Sequence, residues 1–329
     1  MKLDITTIIL TYNEEIHIRR ALENVCPFSK KVIVIDSPST DRTQEICREF
    51  ENVEVVVHNY PGNQAEQFNW ALDNIAIETE WILRLDADEY LFPELIAELE
   101  EKLPHLPKTV SALSLSLARA FMGKRLKHGI VNSVRLVRIF RKGKAHSEKR
   151  LMDEQVVVLE GEVMELKHQF IDDNLLPISA FVKKHENYAN REAAVLLATE
   201  YGLIADDSTQ LSSSASAKRS QKSRYAKMPL FWRSIGYFCY RYFIKLGFLD
   251  GVEGFCWDFF QGLWYRMLVD AKVYEVKKAC GDDKDKIVQY INNNFGIKLE
   301  MKKENKYNDN DINTSLSVGY QGGGKPATP

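Results

Sequence analysis

Three acidic residues, Asp86, Asp88 and Glu89, end an apolar stretch in the sequence "WILRLDADEYL" at residues 81–91. Burying a bare carboxylate is costly, so these acids must either reach water or hold something positive. Two carboxylates one residue apart suit a hard divalent cation such as Mg²⁺ or Mn²⁺, which prefers oxygen ligands. A solvated acidic loop is the alternative, and the elements around the acids must decide between the two.

The first hundred residues alternate between apolar, β-branched runs and helical patterns. Strands are expected at 5–10, 31–36, 53–58 and 80–88, and helices at 14–25, 39–50 and 63–76. This alternation predicts an α/β fold with a mostly parallel sheet flanked by helices. Such sheets bind ligands at the carboxyl ends of their strands.

Polar groups stand at those carboxyl ends. "TYNE" (11–14), "DSPSTD" (36–41) and "DADE" (86–89) each follow a predicted strand. Asp41 fits a helix cap, whereas Asp36 directly ends "KVIVID" and could accept from a base N–H or a sugar hydroxyl. The sequence contains neither GxGxxG nor GxxxxGK[ST], so it supports neither a dinucleotide fold nor a P-loop.

The later sequence suggests further organisation. We expect a helix at 93–103, strands at 110–118 and 134–140, strand and loop mixed at 147–170, and a long helix at 177–202. The predicted domains are a catalytic domain (1–205), a polar, Ser-rich linker (206–224), a helical membrane-association or oligomerisation region (225–298) and a disordered tail (299–329).

Composition sets broad limits. The chain has 329 residues, 27% of them charged, and a net charge of −2, which gives no global argument for nucleic acid binding. Five cysteines without a CxxC pair favour a reducing compartment. The stretch "MKLDITTIILTYNEE" lacks the apolar core of a signal peptide, so we expect a cytoplasmic protein that touches a membrane peripherally.

An aromatic and basic segment follows the predicted linker. Between Asp207 and Asp250 there is no acid but there are eight Lys or Arg residues. Arg233, Arg241 and Lys245 fall on one helical face, and aromatic and aliphatic residues fall on another. This pattern is typical of an interfacial helix on an anionic membrane. The alternative is a helical subdomain packed on the catalytic core or on a second subunit of a homo-oligomer. No motif supports nucleic acid binding.

Four motifs in order, "ILTYNEE", "VIDSPSTDRT", "NQAEQFNWAL" and "ILRLDADE", resemble the glycosyltransferase family 2 enzymes with the GT-A fold. The likeness covers residues 3–200, is fainter at 225–275, and is strongest to the bacterial lipopolysaccharide-core β-glucosyltransferases. The resemblance implies metal-dependent, inverting transfer of a sugar from a nucleotide-diphosphate sugar, most simply a UDP-sugar. The acceptor would be a lipid-linked or oligosaccharide hydroxyl of a lipopolysaccharide core, O-antigen or capsule, at the inner face of the bacterial inner membrane.

The resemblance also implies residue roles. The nucleotide-sugar would contact Thr11, Tyr12, Glu14, Asp36, Asn69 and Asp86, with Asp36 at the base and Asn69 at the diphosphate. Asp88, helped by Asp86 and His168, would hold Mg²⁺ or Mn²⁺. Lys183, His185 and Tyr188 would line the acceptor side. A hydrogen-bonded structural histidine remains an equal alternative for His168 and His185.

Two neighbouring residues are candidates for the general base. The resembling branch has a His-Glu pair after a strand like "VRIFRKG" (137–143), and the matching residues here are Asp153 and Glu154. Asp replaces the His, so the base stays open between the two, with Glu154 preferred by register. Another departure is Gln67, where a basic residue is common.

The chemistry of the residues agrees with sugar transfer. A divalent cation can stabilise the leaving diphosphate, and a carboxylate can accept the proton of the acceptor hydroxyl. A nucleotidyltransferase is one alternative, but it would need a Gly-rich, basic loop where "TYNEE" is acidic. A non-catalytic membrane-binding module is the other, and it would not explain acids at three strand ends.

Overall fold

The computed structural model describes residues 2–131, 134–148, 154–203, 225–226 and 228–299. Asp153, the predicted linker at 206–224 and the predicted tail from 300 onward lie outside the described residues. The chain divides into two compact units, of which the first comprises Met1–Pro177 and Tyr240–Asp258. The second comprises Ile178–Cys239 and Phe259–Pro329. The functional boundaries expected from the sequence remain predictions.

A nine-stranded sheet forms the centre of the first unit, in the order β3-β2-β1-β4-β8-β6-β11-β5, with β7 paired to β6. Its strands are β1 (Leu3–Thr11), β2 (Ser29–Asp36), β3 (Val53–Val57), β4 (Trp81–Asp86), β5 (Glu89–Leu91), β6 (Val110–Phe121), β7 (Lys124–Leu126), β8 (Arg135–Arg141) and β11 (Glu162–Asp172). A separate ribbon pairs β9 (Ala145–Ser147) with β10 (Val156–Val158).

The sheet is parallel in its first half and mixed in its second. β1, β2, β3 and β4 pair in parallel with one another, whereas β8 runs antiparallel to both β4 and β6. β6 and β11 are again parallel. The predicted α/β class with a helix-flanked sheet is confirmed, and the mixed half adds antiparallel pairs that the strand-helix alternation did not reveal.

Helices cover both faces of the sheet because the strands alternate their apolar side chains. In β1, Ile5 and Ile9 join one core cluster and Ile8 joins the other. The first cluster includes residues from α1 (Ile18–Val25), α2 (Thr43–Cys47) and α4 (Pro93–Lys102), and the second includes residues from α3 (Gln64–Asn74). Asn63 caps α3 by accepting from the Glu66 N–H, and Pro93 begins α4.

Residues 240–258, here called the strap, complete the first unit. The strap contains a π-helical turn (Tyr240–Ile244), a 3₁₀ turn (Gly247–Asp250) and helix α7 (Gly251–Trp257). The Asp250 carboxylate accepts from the backbone N–H groups of Lys127 and His128 at 2.9 and 2.8 Å. Trp257 packs against Phe121 with their ring centroids 5.4 Å apart. The strap is therefore attached to the β6–β7 hairpin and the loop that follows.

The second unit is helical. Its helices are α5 (Ile178–Glu200), α6 (Trp232–Cys239), α8 (Tyr265–Cys280) and α9 (Lys284–Asn294), with a π-helical segment at Asp258–Trp264 ahead of α8. Alanines of α5 pack against valines of α8 in its core. Asp283 caps α9 by accepting from two backbone N–H groups.

Two cations of the aromatic segment occupy positions that the sequence pattern did not predict. Arg233 is 3% exposed and donates through Nε to Asp270 Oδ1 at 2.8 Å. Arg241 is 7% exposed and lies 2.8 Å from Asp258. The expectation that both face lipid headgroups is wrong, because each is buried against an acid distant in sequence. Among the described residues, no helix has the length and apolar character needed to cross a bilayer.

Removing one partner of the buried Arg233–Asp270 pair should destabilise the second unit, because the other charge would be left buried without its partner. Asp270 also accepts from the Phe231 N–H and the Ser234 hydroxyl. Removing its carboxylate would leave these two donors and the Arg233 guanidinium without their acceptor in the interior. We expect Asp270→Ala to lower the free energy of unfolding by about 3 kcal/mol or more, measured by urea denaturation. The control is Glu49→Ala. Glu49 pairs with Arg19 at the surface, where both side chains are 45% exposed. That change should cost less than about 1 kcal/mol. Equal losses in the two variants would contradict the assignment.

Candidate active site

The carboxyl ends of β1, β2 and β4 meet at one edge of the sheet. Thr11 pairs in register with Asp36, and Leu10 with Asp86. The polar residues that follow these strands are therefore neighbours, as expected from the parallel arrangement. This edge gathers most of the residues that the sequence motifs single out.

Asp36 is fully buried at this edge and is surrounded by donors. Thr11 Oγ1 donates to Oδ1 at 2.8 Å, and the Ser39 hydroxyl donates to the same oxygen at 2.5 Å. Oδ2 accepts from the Ser39 N–H at 2.9 Å and from Gln44 Nε2 at 2.7 Å. A carboxylate has about four acceptor positions, so these donors use its capacity. In this arrangement Asp36 shapes the loop at 37–44, and its role at a base stays a prediction.

Reciprocal hydrogen bonds join the loops after β1 and β2. Asn13 has a φ of 55°, a conformation that Asn tolerates better than most residues, and its side-chain oxygen accepts from the Thr40 N–H at 2.8 Å. The Glu14 N–H donates to Thr43 Oγ1 at 2.8 Å. Beside them the Tyr12 side chain is 45% exposed. The two loops form a fixed polar rim with an exposed aromatic ring.

A buried guanidinium lies beneath the acidic motif. Arg138 of β8 forms an ion pair with Glu89 and lies 3.5 Å from Asp86. Glu89 also accepts from the Asp86 N–H at 3.0 Å. Burial raises the pKa of Glu89, Arg138 opposes that shift, and the Asp86 carboxylate adds to it. Arg138 thus lowers the electrostatic cost of holding several carboxylates together, and the Asp86 side chain remains 38% exposed.

Asp88 is oriented by the segment that follows β11. Asn174 Nδ2 donates to Asp88 Oδ2 at 2.9 Å, and the Asp173 N–H donates to the Asp88 carbonyl at 3.0 Å. Arg20 of α1 donates to the Asp173 carboxylate at 2.6 Å. His17 is fully buried, with Nδ1 2.6 Å from Glu14 and Nε2 accepting from the Leu175 N–H at 2.9 Å. These contacts fix the backbone and one oxygen of Asp88.

The donor set of this edge fits a divalent cation shared with a diphosphate. Within the described part of the chain, no group of three or more His, Cys, Asp or Glu side chains is arranged to hold a metal ion. Mg²⁺, however, is commonly held by one or two carboxylates together with substrate phosphates and water. The carboxylates of Asp86 and Asp88 match that incomplete set, so the protein groups fit the predicted ion only as part of a ternary site.

His168 contacts Glu98 of α4. β11 has an irregularity between Glu165 and Gln169, and the N–H groups of Lys167 and His168 inside it donate to Glu98 of α4. The His168 Nδ1 atom is 2.9 Å from the same carboxylate. The contacts seen for His168 thus agree with the structural alternative, and its predicted role as a metal ligand finds no partner among them.

Asn69 and Arg84 organise the neighbourhood of Glu154. Asn69 forms two 2.8 Å hydrogen bonds with the backbone of Ser147, one as donor and one as acceptor. Arg84 donates to the Ser147 hydroxyl at 2.8 Å. Burial lowers the pKa of Arg84, while the carboxylates of Asp86 and Glu154 act in the opposite direction. Arg84 therefore couples Glu154 electrostatically to the acidic edge, whereas Asp153 lies outside the described residues.

The three residues predicted for the acceptor side all lie on α5 in the second unit. His185 is 7% exposed, with Nδ1 2.8 Å from the Phe181 carbonyl and Nε2 2.6 Å from Gln261 Nε2. Tyr188 packs edge-on against His185 with ring centroids 5.5 Å apart. Lys183 is exposed on the same helix. His185 satisfies both ring nitrogens within its own unit, and the acceptor role of this group stays a prediction.

Sequence reasoning missed three residues that support the acids. Arg138 lies in "VRIFRKG", the strand that precedes Asp153 and Glu154 in the sequence. Arg20 and Asn174 reach Asp88 from α1 and from the segment after β11. A basic residue inside an otherwise apolar strand was the available signal for Arg138. Nothing in the local sequence distinguishes Arg20 or Asn174.

The family comparison covers the region that holds this edge. Residues 6–150 match the family model described as Glycosyl transferase family 2. An uncharacterised glycosyltransferase of Rickettsia typhi is 35% identical over 96 residues, which cover 29% of this chain and 32% of that protein. A similar protein of Rickettsia bellii is 38% identical over 96 residues, or 29% of this chain and 31% of its own. The match thus spans about a third of the length of these relatives.

Solved structures show a more distant likeness. S. aureus TarS, residues 1–349, has a TM-score of 0.38 at 17% identity, covering 89% of this chain and 92% of that one. Glucosyl-3-phosphoglycerate synthase from Mycobacterium tuberculosis, solved with Mn²⁺, uridine diphosphate and glucosyl-3-phosphoglycerate, has a TM-score of 0.29 at 18% identity. That match covers 35% of this chain and 44% of the synthase chain.

Residues 6–150 are therefore similar to the glycosyl transferase family 2 domain, and 96 residues of the chain are similar to proteins named as glycosyltransferases. The family that the four motifs predict is supported to this extent. The closer resemblance to lipopolysaccharide-core β-glucosyltransferases stays a prediction.

The Glu98 carboxylate gives a pH-dependent test of the hydrogen bonds between α4 and β11. Burial would raise the pKa of Glu98, but hydrogen bonds from Lys102, His168 and the backbone of Lys167 and His168 lower it to about 2 from 4.5. A lowered pKa stabilises the fold above pH 4.5, and this contribution is lost as the pH falls toward 2. We expect Glu98→Gln to lose about 2 kcal/mol of unfolding free energy at pH 7.

The difference between wild type and Glu98→Gln should shrink as urea titrations move from pH 7 to pH 3. The control is Glu101→Gln, an exposed acid on the same helix, which should show no such trend. A constant difference across that range would contradict the role of the ionised Glu98 carboxylate.

Proposed function

We propose that this protein is an inverting glycosyltransferase that moves a sugar from a nucleotide-diphosphate sugar, a UDP-sugar, to a hydroxyl of a growing bacterial surface glycan. The observation that supports it most is the meeting of Asp86 and Asp88 with the rim of the β1 and β2 loops at one sheet edge. The family 2 match over residues 6–150 includes Asp86 and Asp88 and supports this proposal.

In this proposal the carboxylates of Asp86 and Asp88 would bind Mg²⁺ or Mn²⁺ together with the donor diphosphate. The ion, when bound, would neutralise the charge that builds up on the leaving diphosphate. Asn174 holds Asp88 Oδ2 through its 2.9 Å hydrogen bond, which leaves the carboxylate in one orientation. Arg138 balances part of the negative charge from below, so the acids remain close together before any cation arrives.

The nucleotide would lie along the loops after β1 and β2. Tyr12 offers an exposed ring for the base, while Thr11 and Glu14 belong to the rim that positions it. Asp36 is assigned to nucleotide binding through the loop at 37–44, which its hydrogen bonds hold in place. Asn69 bonds the backbone of Ser147, and Ser147 in turn accepts a hydrogen bond from Arg84. We therefore assign Asn69 an indirect effect on the diphosphate, exerted through the β9–β10 ribbon.

Glu154 is the proposed acceptor of the hydroxyl proton. Its carboxylate interacts electrostatically with the buried Arg84, which also interacts with Asp86. Single-displacement transfer needs a base within hydrogen-bond reach of the acceptor hydroxyl, and we assign that position to the Glu154 carboxylate. Direct attack by the activated hydroxyl then inverts the anomeric centre. The acceptor is proposed to be lipid-linked or oligosaccharide in nature, used at the inner face of the bacterial inner membrane.

The alternatives explain less. A nucleotidyltransferase would need donors for a triphosphate after β1, where the chain places Glu14 and Glu15. A non-catalytic membrane-binding module would have no use for Arg138 buried beneath a row of carboxylates.

Asp88→Ala tests the metal mount. We expect it to abolish turnover and to remove the Mn²⁺-dependent part of UDP affinity, measured by calorimetry with and without EDTA, because the oriented ligand is lost. The control is Asp73→Asn, an exposed acid on α3, which should keep both properties. Full activity of the wild type in EDTA would contradict the proposal of a metal-dependent enzyme.

Glu154→Gln tests the base. The amide keeps the size of the side chain but cannot accept the proton, so kcat should fall at least about 100-fold. UDP-sugar affinity should stay near that of the wild type, because the loss belongs to the chemical step. Asp153→Asn is the comparison variant. If it is inactive while Glu154→Gln retains turnover, the base is Asp153 and the register argument is wrong.

A further inference from the structure

The strap, residues 240–258, leaves many large apolar side chains in water. Ile244 is 70% exposed, Val252 71%, Phe243 56% and Leu249 55%. Four more of its side chains are between 42% and 44% exposed, namely Tyr240, Leu246, Phe248 and Phe255. Scattered exposed apolar residues are ordinary, but eight within nineteen residues form a concentration that soluble surfaces rarely show. We therefore expect this surface to contact an apolar partner.

The exposure is not the result of loose packing. A Cβ on Gly247 would lie 1.9 Å from Asp258 Oδ2, and one on Gly254 would lie 2.5 Å from the Gly247 carbonyl oxygen. Gly129 donates its N–H to the Lys245 carbonyl at 3.0 Å, and its own carbonyl accepts from Arg241 Nε at 3.1 Å. The strap backbone is thus closely fitted, and the fit holds the apolar side chains outward.

Each acid of the strap faces a basic side chain of the same unit. Asp250 and Asp258 are 5% and 1% exposed, Asp250 bonding His128 Nδ1 at 2.9 Å and Asp258 pairing with Arg241. Glu253 lies 3.1 Å from Lys124. Within residues 240–258, all of them described, the exposed charged side chain is the cation Lys245. The outer surface therefore combines apolar side chains with positive charge.

We propose that the outer surface of the strap inserts into the boundary of an anionic lipid membrane. The apolar side chains would enter the region between headgroups and acyl chains, and Lys245 would remain at the headgroups. Charge favours this partner, because Lys245 is exposed on the strap while Asp250, Glu253 and Asp258 each face a basic side chain. The inference rests on the proposed function only in that a lipid-linked acceptor gives membrane binding its purpose.

This surface replaces the helical face expected from the sequence. Arg233 and Arg241 are buried and cannot meet headgroups, whereas Lys245 is exposed as expected. The proposal therefore assigns membrane binding to the apolar side chains of the strap and not to Arg233 and Arg241. The test changes those apolar side chains.

The test compares two triple serine variants of the full chain. The first changes Ile244, Leu249 and Val252, which project from the strap. The matched control changes Val57, Leu159 and Val163, which are 52%, 53% and 40% exposed elsewhere in the same unit. Binding is measured by cosedimentation with vesicles of phosphatidylcholine and phosphatidylglycerol, and with vesicles of phosphatidylcholine alone.

We expect wild type and control to bind the anionic vesicles and the strap variant to bind them roughly tenfold more weakly or worse, because three apolar side chains no longer insert. Binding of the wild type should weaken with salt, and Lys245→Glu should reduce it further. Wild-type binding that is absent, or unchanged in the strap variant, overturns the proposal. So does sedimentation velocity showing that the strap variant turns a wild-type dimer into a monomer without vesicle binding.

UDP-sugar hydrolysis in vesicle-free solution separates this inference from the proposed function. The strap variant should hydrolyse donor at the wild-type rate, since the acids at the sheet edge are untouched. A wild type that binds vesicles but neither binds nor hydrolyses nucleotide-sugars would refute the enzyme while leaving the membrane surface in place.

Discussion

Mutual repulsion among carboxylates is the constraint that shapes this protein. Asp86, Asp88 and Glu89 lie within four residues, and Glu89 is only 4% exposed. Such a group is tolerable only with positive charge nearby, and the protein provides it from the antiparallel neighbour β8, where Arg138 pairs with Glu89 and approaches Asp86. The insertion of β8 beside β4 is therefore as important to the acidic edge as the parallel strands that present it. The same sheet half supplies Arg141, whose guanidinium lies over Trp81 at the other end of β4.

Much of the first unit could be predicted because its signals are local. Apolar, β-branched runs define β1, β2 and β4 to within two residues of their observed ends, and Asn63 and Pro93 mark the starts of α3 and α4. The α1 helix begins at Ile18, four residues later than expected, because Asn13, Glu14 and Glu15 are used in bonds to the loop after β2. A residue pattern cannot show that these backbone N–H groups have tertiary partners.

The remaining features depend on partners that are distant in sequence. Asn174 reaches Asp88 across 86 residues and Arg20 reaches Asp173 across 153. The cationic face of 233–245 failed as a prediction for the same reason. Helical periodicity places Arg233 and Arg241 together, but Asp270 and Asp258 lie beyond the segment and draw both guanidinium groups inward. The motifs thus indicated where chemistry gathers, while the groups that orient and neutralise the site became visible only with the fold.

The division of the chain has a consequence for its synthesis. The first unit contains Met1–Pro177 and the strap, and the helices α5 and α6 of the second unit intervene between them in sequence. Lys124 and its partner Asp250 are separated by 126 residues, so this contact closes late, after α5 and α6 have left the ribosome. Until then Trp257 is absent from its place against Phe121, and the N–H groups of Lys127 and His128 lack their carboxylate. The nascent sheet therefore lacks its contacts with the strap until the strap has been synthesised. A gene fragment that stops before residue 240 would encode a first unit without these contacts.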